Sequence, residues 1–191
     1  TGAYDVEPDQ FDKFIDLLQD ELQDLDTQLG PALLVASAGN CGYDHRNSGI
    51  FKWPAMMPSY NGRILVVAGV DANDALRTNA DYGAQEIAWE PHLAAPAEDF
   101  VVLDPDLGGT DTQLHSGTSF AAAMVSETAA LVLSAVPALR GQPCRLSDRI
   151  LSNGEIIPDL EGVVGAHGLR LNAWWAIVDN PTNEGWFQSC P

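Results

Sequence analysis

Residues 64–70 form an unbroken run of seven residues without a polar side chain, and this run restricts the folds open to the chain. A strand with one face in water alternates apolar and polar residues, whereas a parallel strand covered on both faces is apolar throughout. Residues 33–36 form a second such run and residues 101–103 a shorter third one. We therefore expect a mainly parallel sheet buried under helices.

Helices are predicted on either side of these strands. In residues 8–29 apolar side chains recur at spacings of three and four, which indicates an amphipathic helix with Pro8 in its first turn. Residues 118–136 are rich in Ala, Leu, Val and Met and stop at Pro137, which is typical of a helix buried on most of its surface. The chain beyond Pro137 is predicted to be loop-rich, with one short helix at 171–178.

This order of elements predicts the α/β class, as a three-layer domain with a mainly parallel sheet and helices on both faces. With 191 residues, the chain has room for one domain with a sizeable core. No internal repeat or domain boundary is evident.

The charge of the chain excludes some partners. Its 27 acidic and 9 basic residues give a net charge of −18. Such a surface repels phosphate backbones and anionic headgroups, so we expect no nucleic-acid partner and no membrane binding. We also expect no membrane span, because no apolar run reaches the required length of about 18 residues. The charge fits an extracellular or periplasmic setting, or simply a solvated acidic face.

Cysteine spacing gives no support for zinc or thioredoxin-like chemistry, since Cys41, Cys144 and Cys190 form no CxxC pair. An odd number leaves at least one thiol free or paired with another chain. Cys144 and Cys190 could form a disulfide if the protein is exported. No metal site is assigned, and no cofactor is expected. Calcium is left open, because carboxylates are plentiful but show no recognisable ligand spacing.

Two polar residues stand where chemistry is favoured. Ser119 lies where a glycine-containing turn opens the predicted helix, and a helix N-terminus stabilises an oxyanion forming beside it. Asn40 follows a predicted strand, and its amide could donate to the same oxyanion. Each residue alone has an ordinary interpretation, as a helix cap or as a turn residue.

Several short segments occur together in one order. They are Ala36-Ser37-Ala38-Gly39-Asn40, Val67-Ala68-Gly69-Val70-Asp71, Ala94-Ala95-Pro96, Gly117-Thr118-Ser119-Phe120-Ala121-Ala122 and Gly168-Leu169-Arg170-Leu171-Asn172-Ala173. This series resembles the C-terminal half of the catalytic domain of subtilisin-like serine proteases (subtilases), over about residues 8–178. The resemblance implies that Ser119 is the nucleophile and that Asn40 and the Ser119 N–H form the oxyanion hole. It also implies that Gly117 and Thr118 bind substrate.

The chain departs from the family pattern in three ways. Ala123 stands where the family usually has proline, which should cost little in the first turns of a helix. Ala97 replaces the usual glycine and is expected to reshape a loop. More seriously, the aspartate and histidine that precede the asparagine in the family are missing. Only 39 residues precede Asn40, and none of them is histidine.

We therefore expect residues 1–191 to be the C-terminal part of a split catalytic domain. An N-terminal companion chain of the same protease would supply the aspartate and histidine, after proteolytic processing of a secreted zymogen just before Thr1. The histidines of this chain are alternative bases, but each is expected to be an ordinary surface or core residue. They are His45, His92, His115 and His167.

The predicted function is that of a serine endopeptidase acting on protein or peptide substrates. One alternative is a catalytically inactive subtilase-like domain that serves as a binding or scaffold module. Another is peptide ligation or cyclisation at the same serine. The presence of both Ser119 and Asn40 favours the enzyme, since an inactive site has no physical need for either.

Lys52 supplies a hypothesis on specificity. In the resemblance, Trp53-Pro54 fits a Tyr-Pro pair of the family, and the residue before that pair lies near the floor of the pocket for the acyl-side substrate residue. An ammonium there would pair with a carboxylate, so Lys52 and Trp53 are predicted to bind substrate and to favour cleavage after aspartate or glutamate. Alternatively, Lys52 reaches outward to an acidic surface group.

Overall fold

The computed structural model describes residues 8–44, 62–83, 91–103 and 112–181, and it divides into two compact units after Ala32. The first unit contains helix α1 (Pro8–Leu29), with the bounds predicted from the sequence. The helix ends at Gly30, which has a positive φ of 84° and donates its N–H to the Asp26 carbonyl at 2.9 Å. A glycine tolerates this left-handed conformation without steric cost, which explains the position of the helix end.

The second unit is built on a five-stranded sheet in the order β1-β2-β3-β7-β6. Its strands are β1 (Leu34–Ser37), β2 (Ile64–Val70), β3 (Leu93–Pro96), β6 (Glu155–Ile156) and β7 (Leu169–Arg170). β1, β2, β3 and β7 pair in parallel, and only β6 is antiparallel to its neighbour. Every residue of β2 is buried, as expected for an interior strand of a covered parallel sheet.

Helix α2 (Thr118–Ala135) packs on β1, β2 and β3. Its buried positions include Ala121, Val125 and Val132, which join the core formed by Leu65, Leu93 and their neighbours. By length and composition α2 could also cross a membrane, contrary to the expectation from apolar run length. Core helices of globular domains pass the same test, and the packing of α2 on three strands accounts for its composition.

Two expectations about secondary structure are wrong. Residues 101–103 do not form a buried parallel strand: β4 (Phe100–Leu103) pairs antiparallel with β5 (Thr112–His115), and Val101 and Leu103 are each 68% exposed. The region after Pro137 contains a helix that was not predicted, α3 (Pro143–Ser152), in addition to α4 (Ala173–Val178). A three-residue apolar run and a ten-residue amphipathic segment are both too short for periodicity to decide.

The cysteines are in two states. Cys144, on α3, is disulfide-bonded, whereas Cys41 is an exposed free thiol. Cys190, the third cysteine, lies outside the described residues.

Candidate active site

The connections that follow the strands of the sheet bring Asn40 and Ser119 together. Asn40 comes three residues after β1, and Ser119 is the second residue of α2. Because α2 packs on β1, its N-terminus lies beside the chain that leaves that strand. Ser119 and Asn40 are both exposed, whereas Gly117 and Thr118 between them are buried.

Thr118 ties Asn40 to the helix. The Thr118 N–H donates to Asn40 Oδ1 at 2.9 Å, and the Thr118 hydroxyl donates to the same oxygen at 3.3 Å. The Gly39 N–H in turn donates to Thr118 Oγ1 at 3.3 Å. A backbone N–H can only donate, so the amide atom that faces it must be the oxygen. Asn40 is therefore held with its Nδ2 donors directed away from the helix.

The hydroxyl of Ser119 and the amide of Asn40 flank one small space above Gly117. A Cβ atom on Gly117 would lie 3.4 Å from Ser119 Oγ, 3.5 Å from Asn40 Oδ1 and 3.6 Å from Asn40 Nδ2. The backbone there is extended, with φ 163°, so glycine serves here to keep this space clear. Ser119 lies in the first turn of α2, where N–H groups have no intrahelical acceptor.

The site is fixed to the sheet through Ala97 and Gly69. The Gly117 N–H donates to the Ala97 carbonyl at 2.7 Å, and the Ala97 N–H to the Val70 carbonyl at 2.9 Å. A Cβ on Gly69 would come within 2.5 Å of Ala97 Cβ and 3.3 Å of Thr118 Cγ2. Gly69 thus lets the end of β2, the chain after β3 and the start of α2 approach closely.

A buried carboxylate holds the chain that follows Asn40. Asp81 Oδ1 accepts hydrogen bonds from the N–H groups of Cys41 at 2.8 Å and Tyr43 at 2.9 Å. The Asp81 N–H donates to the Gly39 carbonyl at 2.9 Å, and the residue is fully buried. Asn40 is therefore positioned on one side by Thr118 and on the other by this loop.

None of the histidines that the structure describes hydrogen-bonds to Ser119. His92 immediately precedes β3, at the amino end of the parallel strands, opposite to the end that Asn40 follows. Its Nδ1 accepts the Val66 N–H at 2.9 Å, and desolvation lowers the pKa of His92 to about 4. His115 ends β5 and is exposed, and His167 lies in the turn before β7. His45 lies outside the described residues.

The other residues predicted for the site have different outcomes. Lys52 and Trp53 lie outside the described residues, so the predicted acidic pocket stays a prediction. Gly117 lines the space between the two exposed residues, and Thr118 positions Asn40; their binding of substrate also stays a prediction. In the described part of the chain, no group of three or more His, Cys, Asp or Glu side chains could hold a metal ion.

Three residues that the sequence analysis did not assign also shape the site. Gly69 carried a usable signal, because a glycine inside a strand often marks a close approach of backbones. Asp81 and Arg77 carried none: a single acidic or basic residue in a loop gives no indication that it contacts a distant turn. Arg77 Nη1 lies 3.5 Å from Asn40 Oδ1.

Comparison with solved structures shows the fold. The chain superimposes on the S393A mutant of the epidermin leader peptide processing serine protease EpiP from Staphylococcus aureus with a TM-score of 0.66, at 17% identity over 85% of this chain and 43% of that one. For the prenylagaramide maturation protease PagA the TM-score is 0.62, at 25% identity over 85% and 55%. For the self-cleaved protease domain of PatA it is 0.58, at 30% identity over 82% and 52%.

The chain thus spans about half the length of these proteins, and the predicted subtilisin-like α/β class, present as a partial domain, is confirmed. A search of curated protein sequences gave no significant match. The family model for the subtilases (Peptidase_S8) matches residues 1–155. This chain therefore belongs to the subtilase family.

Proposed function

We propose that this chain carries the nucleophile and the oxyanion hole of a serine endopeptidase. The observation that supports this most directly is the shared space above Gly117, which Ser119 Oγ and the Asn40 amide both face. A carbonyl group in that space would present its carbon to the hydroxyl and its oxygen to Asn40 Nδ2. Nucleophilic acyl transfer requires these two groups side by side.

In the proposed reaction Ser119 Oγ attacks the carbonyl carbon of the scissile peptide bond. A base takes the hydroxyl proton, and the carbonyl oxygen becomes an oxyanion that accepts hydrogen bonds from Asn40 Nδ2 and the Ser119 N–H. Collapse of this intermediate breaks the C–N bond, and the same base, now protonated, gives its proton to the leaving amine. Water then hydrolyses the acyl-enzyme.

We further propose that a companion segment supplies the base and the aspartate that orients it. Two observations support this: none of the described histidines hydrogen-bonds to Ser119, and the chain spans about half the length of its solved relatives. The structure also offers a place for such a segment, since β1 is the terminal strand of the sheet. Its outer edge pairs with no other strand in the described ranges, and an unpaired edge is a template for a further strand.

For the substrate we propose a peptide with an acidic residue on the acyl side of the cut bond, bound by Lys52. PagA, at 25% identity, is named as a maturation protease, so precursor peptides are the substrates to test first. Profiling with a peptide library would show a preference for aspartate and glutamate in the wild type that Lys52→Gly loses. Identical profiles for both proteins would mean that Lys52 is only a surface residue.

The central test is labelling with a fluorophosphonate probe, on protein purified with every associated chain retained. We expect the label on wild type and none on Ser119→Ala. Ser126→Ala is a matched control, because Ser126 is an exposed serine on the same helix whose hydroxyl only donates to the Ala122 carbonyl. It should label like wild type. A well-folded wild-type sample that takes no label would favour the inactive scaffold domain instead.

A further inference from the structure

Arg77 connects three segments of the chain that build the proposed site. Its backbone N–H donates to the Gly69 carbonyl, at the end of β2, at 2.9 Å. Its Nε lies 3.6 Å from Glu98 Oε1, just after β3. Its Nη1 reaches Asn40 Oδ1 at 3.5 Å, after β1. The side chain is only 17% exposed, so these contacts confine the guanidinium group.

The contact with Asn40 falls on the oxygen that the helix already binds. Asn40 Oδ1 therefore has three donors around it: the Thr118 N–H, the Thr118 hydroxyl and Arg77 Nη1. The Thr118 N–H and Arg77 Nη1 can only donate, so these two disfavour the flipped amide that would turn Nδ2 towards the helix, whereas the Thr118 hydroxyl can also accept. Arg77 differs from the other two because it carries a full positive charge, which arginine keeps even when it is buried.

The guanidinium group also has hydrogen-bonding capacity to spare. Its Nε is buried and has no hydrogen-bond partner in the structure, and the Glu98 carboxylate pairs with it only at ion-pair distance. Since most of its five donors are not used by a carboxylate, its charge is only partly neutralised. Its field therefore acts on the Asn40 amide, which its Nη1 contacts.

We propose that Arg77 is a positioning residue for the oxyanion hole. It holds the Asn40 amide with Nδ2 towards the substrate and, by polarising the amide, makes the Nδ2–H groups better donors. When hydrogen bonds follow one another through shared groups, each bond polarises the next and strengthens it. This inference depends on the proposed peptidase function, because it assigns Arg77 a role only in the formation of an oxyanion.

A double-mutant cycle tests the proposal on the protease assembled with its upstream segment. We expect Arg77→Met to lower kcat about tenfold with KM little changed, because the interaction strengthens as the oxyanion forms. In the Asn40→Ala background the same substitution should change kcat by less than about twofold, since the residue through which Arg77 acts is gone. Arg77→Lys keeps the charge and should recover part of the loss.

Arg140→Met is the matched control, since it removes the same charge from an exposed arginine. Arg140 lies beyond the C-terminal end of α2, whereas Ser119 lies at its N-terminal end. The substitution should leave kcat unchanged. Equal losses from Arg77→Met in both backgrounds, or a loss confined to KM, would overturn the proposal while leaving the peptidase intact. If Arg77→Met does not fold, Arg77→Lys and Arg77→Gln are compared instead. A folded Arg77→Lys whose kcat is no higher than that of Arg77→Gln would also overturn the proposal. A wild type that neither labels nor hydrolyses would instead refute the function itself.

Discussion

At the scale of single residues, the site depends on an asparagine side chain that has only one orientation. The N–H of Thr118 fixes Asn40 Oδ1 at 2.9 Å, so the direction of the Nδ2 donors is set when α2 folds onto the sheet. In the proposed oxyanion hole, a donor fixed in this way needs no reorganisation during the reaction. Asn40 therefore combines a structural bond and a proposed chemical one in a single amide.

Replacement of Asn40 tests the proposed chemical contribution. Asn40→Leu should lower kcat by about 10²–10³, which is the usual loss for one oxyanion donor, with a smaller change in KM. Steady-state kinetics on the assembled protease provides the measurement. Asn180→Leu, at an exposed asparagine after α4, is the matched control and should be neutral. A kcat for Asn40→Leu within about twofold of the wild-type value would refute the assignment.

Gly69 and Ala97 support a second prediction at this scale. Gly69→Ala should destabilise the protein by about 1–3 kcal/mol, because the new Cβ would come within 2.5 Å of Ala97 Cβ. Adding Ala97→Gly removes that methyl group and should restore part of the stability, leaving only the contact with Thr118. Thermal or chemical denaturation of the assembled Ser119→Ala protein gives both values. If the second substitution further destabilises the first, the close approach of these two residues is not the cause.

At the scale of elements, His92 closes the amino end of β3. Its Nδ1 accepts the Val66 N–H in place of a backbone carbonyl. This hydrogen bond requires that Nδ1 carry no proton. The pKa of His92 is lowered from 6.5 to about 4 by desolvation. An unfolded chain therefore binds a proton below pH 6.5 that the folded chain does not, and stability falls as the pH drops towards 4.

This linkage can be measured with one substitution. In the assembled Ser119→Ala protein, His92 should account for a loss of about 2–3 kcal/mol between pH 7 and pH 4.5. His92→Asn keeps an acceptor near the position of Nδ1 but does not titrate, so its stability should fall less by about that amount. The measurement is the free energy of unfolding by denaturant at both pH values. Parallel losses in the two proteins would contradict the prediction.

The elements also show what sequence patterns can and cannot predict. β2 and α1 have the bounds expected from the sequence, and α2 differs by one residue at its end, because long runs with a clear period leave few alternatives. β3 is too short to stand out, and β4 pairs locally with β5 although its Val101-Val102-Leu103 run looked buried. Such assignments depend on tertiary pairing, which short patterns do not encode.

For the site, family motifs predicted Ser119 and Asn40, and the structure brings the two side chains around one space; their chemical roles stay a prediction. The motifs gave no indication that Thr118 binds Asn40 or that Ala97 packs on Gly69. These contacts join residues about 78 and 28 positions apart, and their existence depends on the sheet order. Ala97, expected to reshape a loop, lies fully buried in the connection after β3, against the end of β2; whether it reshapes that loop stays a prediction.

At the scale of the whole molecule, the described fold is that of a partial domain whose sheet ends at β1. Expressed alone, residues 1–191 should be poorly soluble or molten despite the charge of −18, because the proposed companion would no longer cover this edge. Co-expression with an upstream segment that contains an aspartate and a histidine should restore soluble protein. The measurements are yield and the cooperativity of thermal unfolding. A sharp cooperative transition of the chain alone would contradict this prediction.

The orientation that Thr118 imposes on Asn40 also bears on how a product leaves. With the amide unable to turn over, this corner offers the Nδ2 donors of Asn40 to a negative oxygen, while the chain as a whole carries a charge of −18. A carboxylate released there by the proposed reaction is attracted by the donors within hydrogen-bonding distance. The net negative charge of the chain repels it over a longer range, about 10 Å at 0.1 M salt. In the proposed acyl-enzyme the short contacts dominate; after the proposed hydrolysis, repulsion favours departure of the free acid. Added salt weakens only the repulsion, so it slows the departure of the acid.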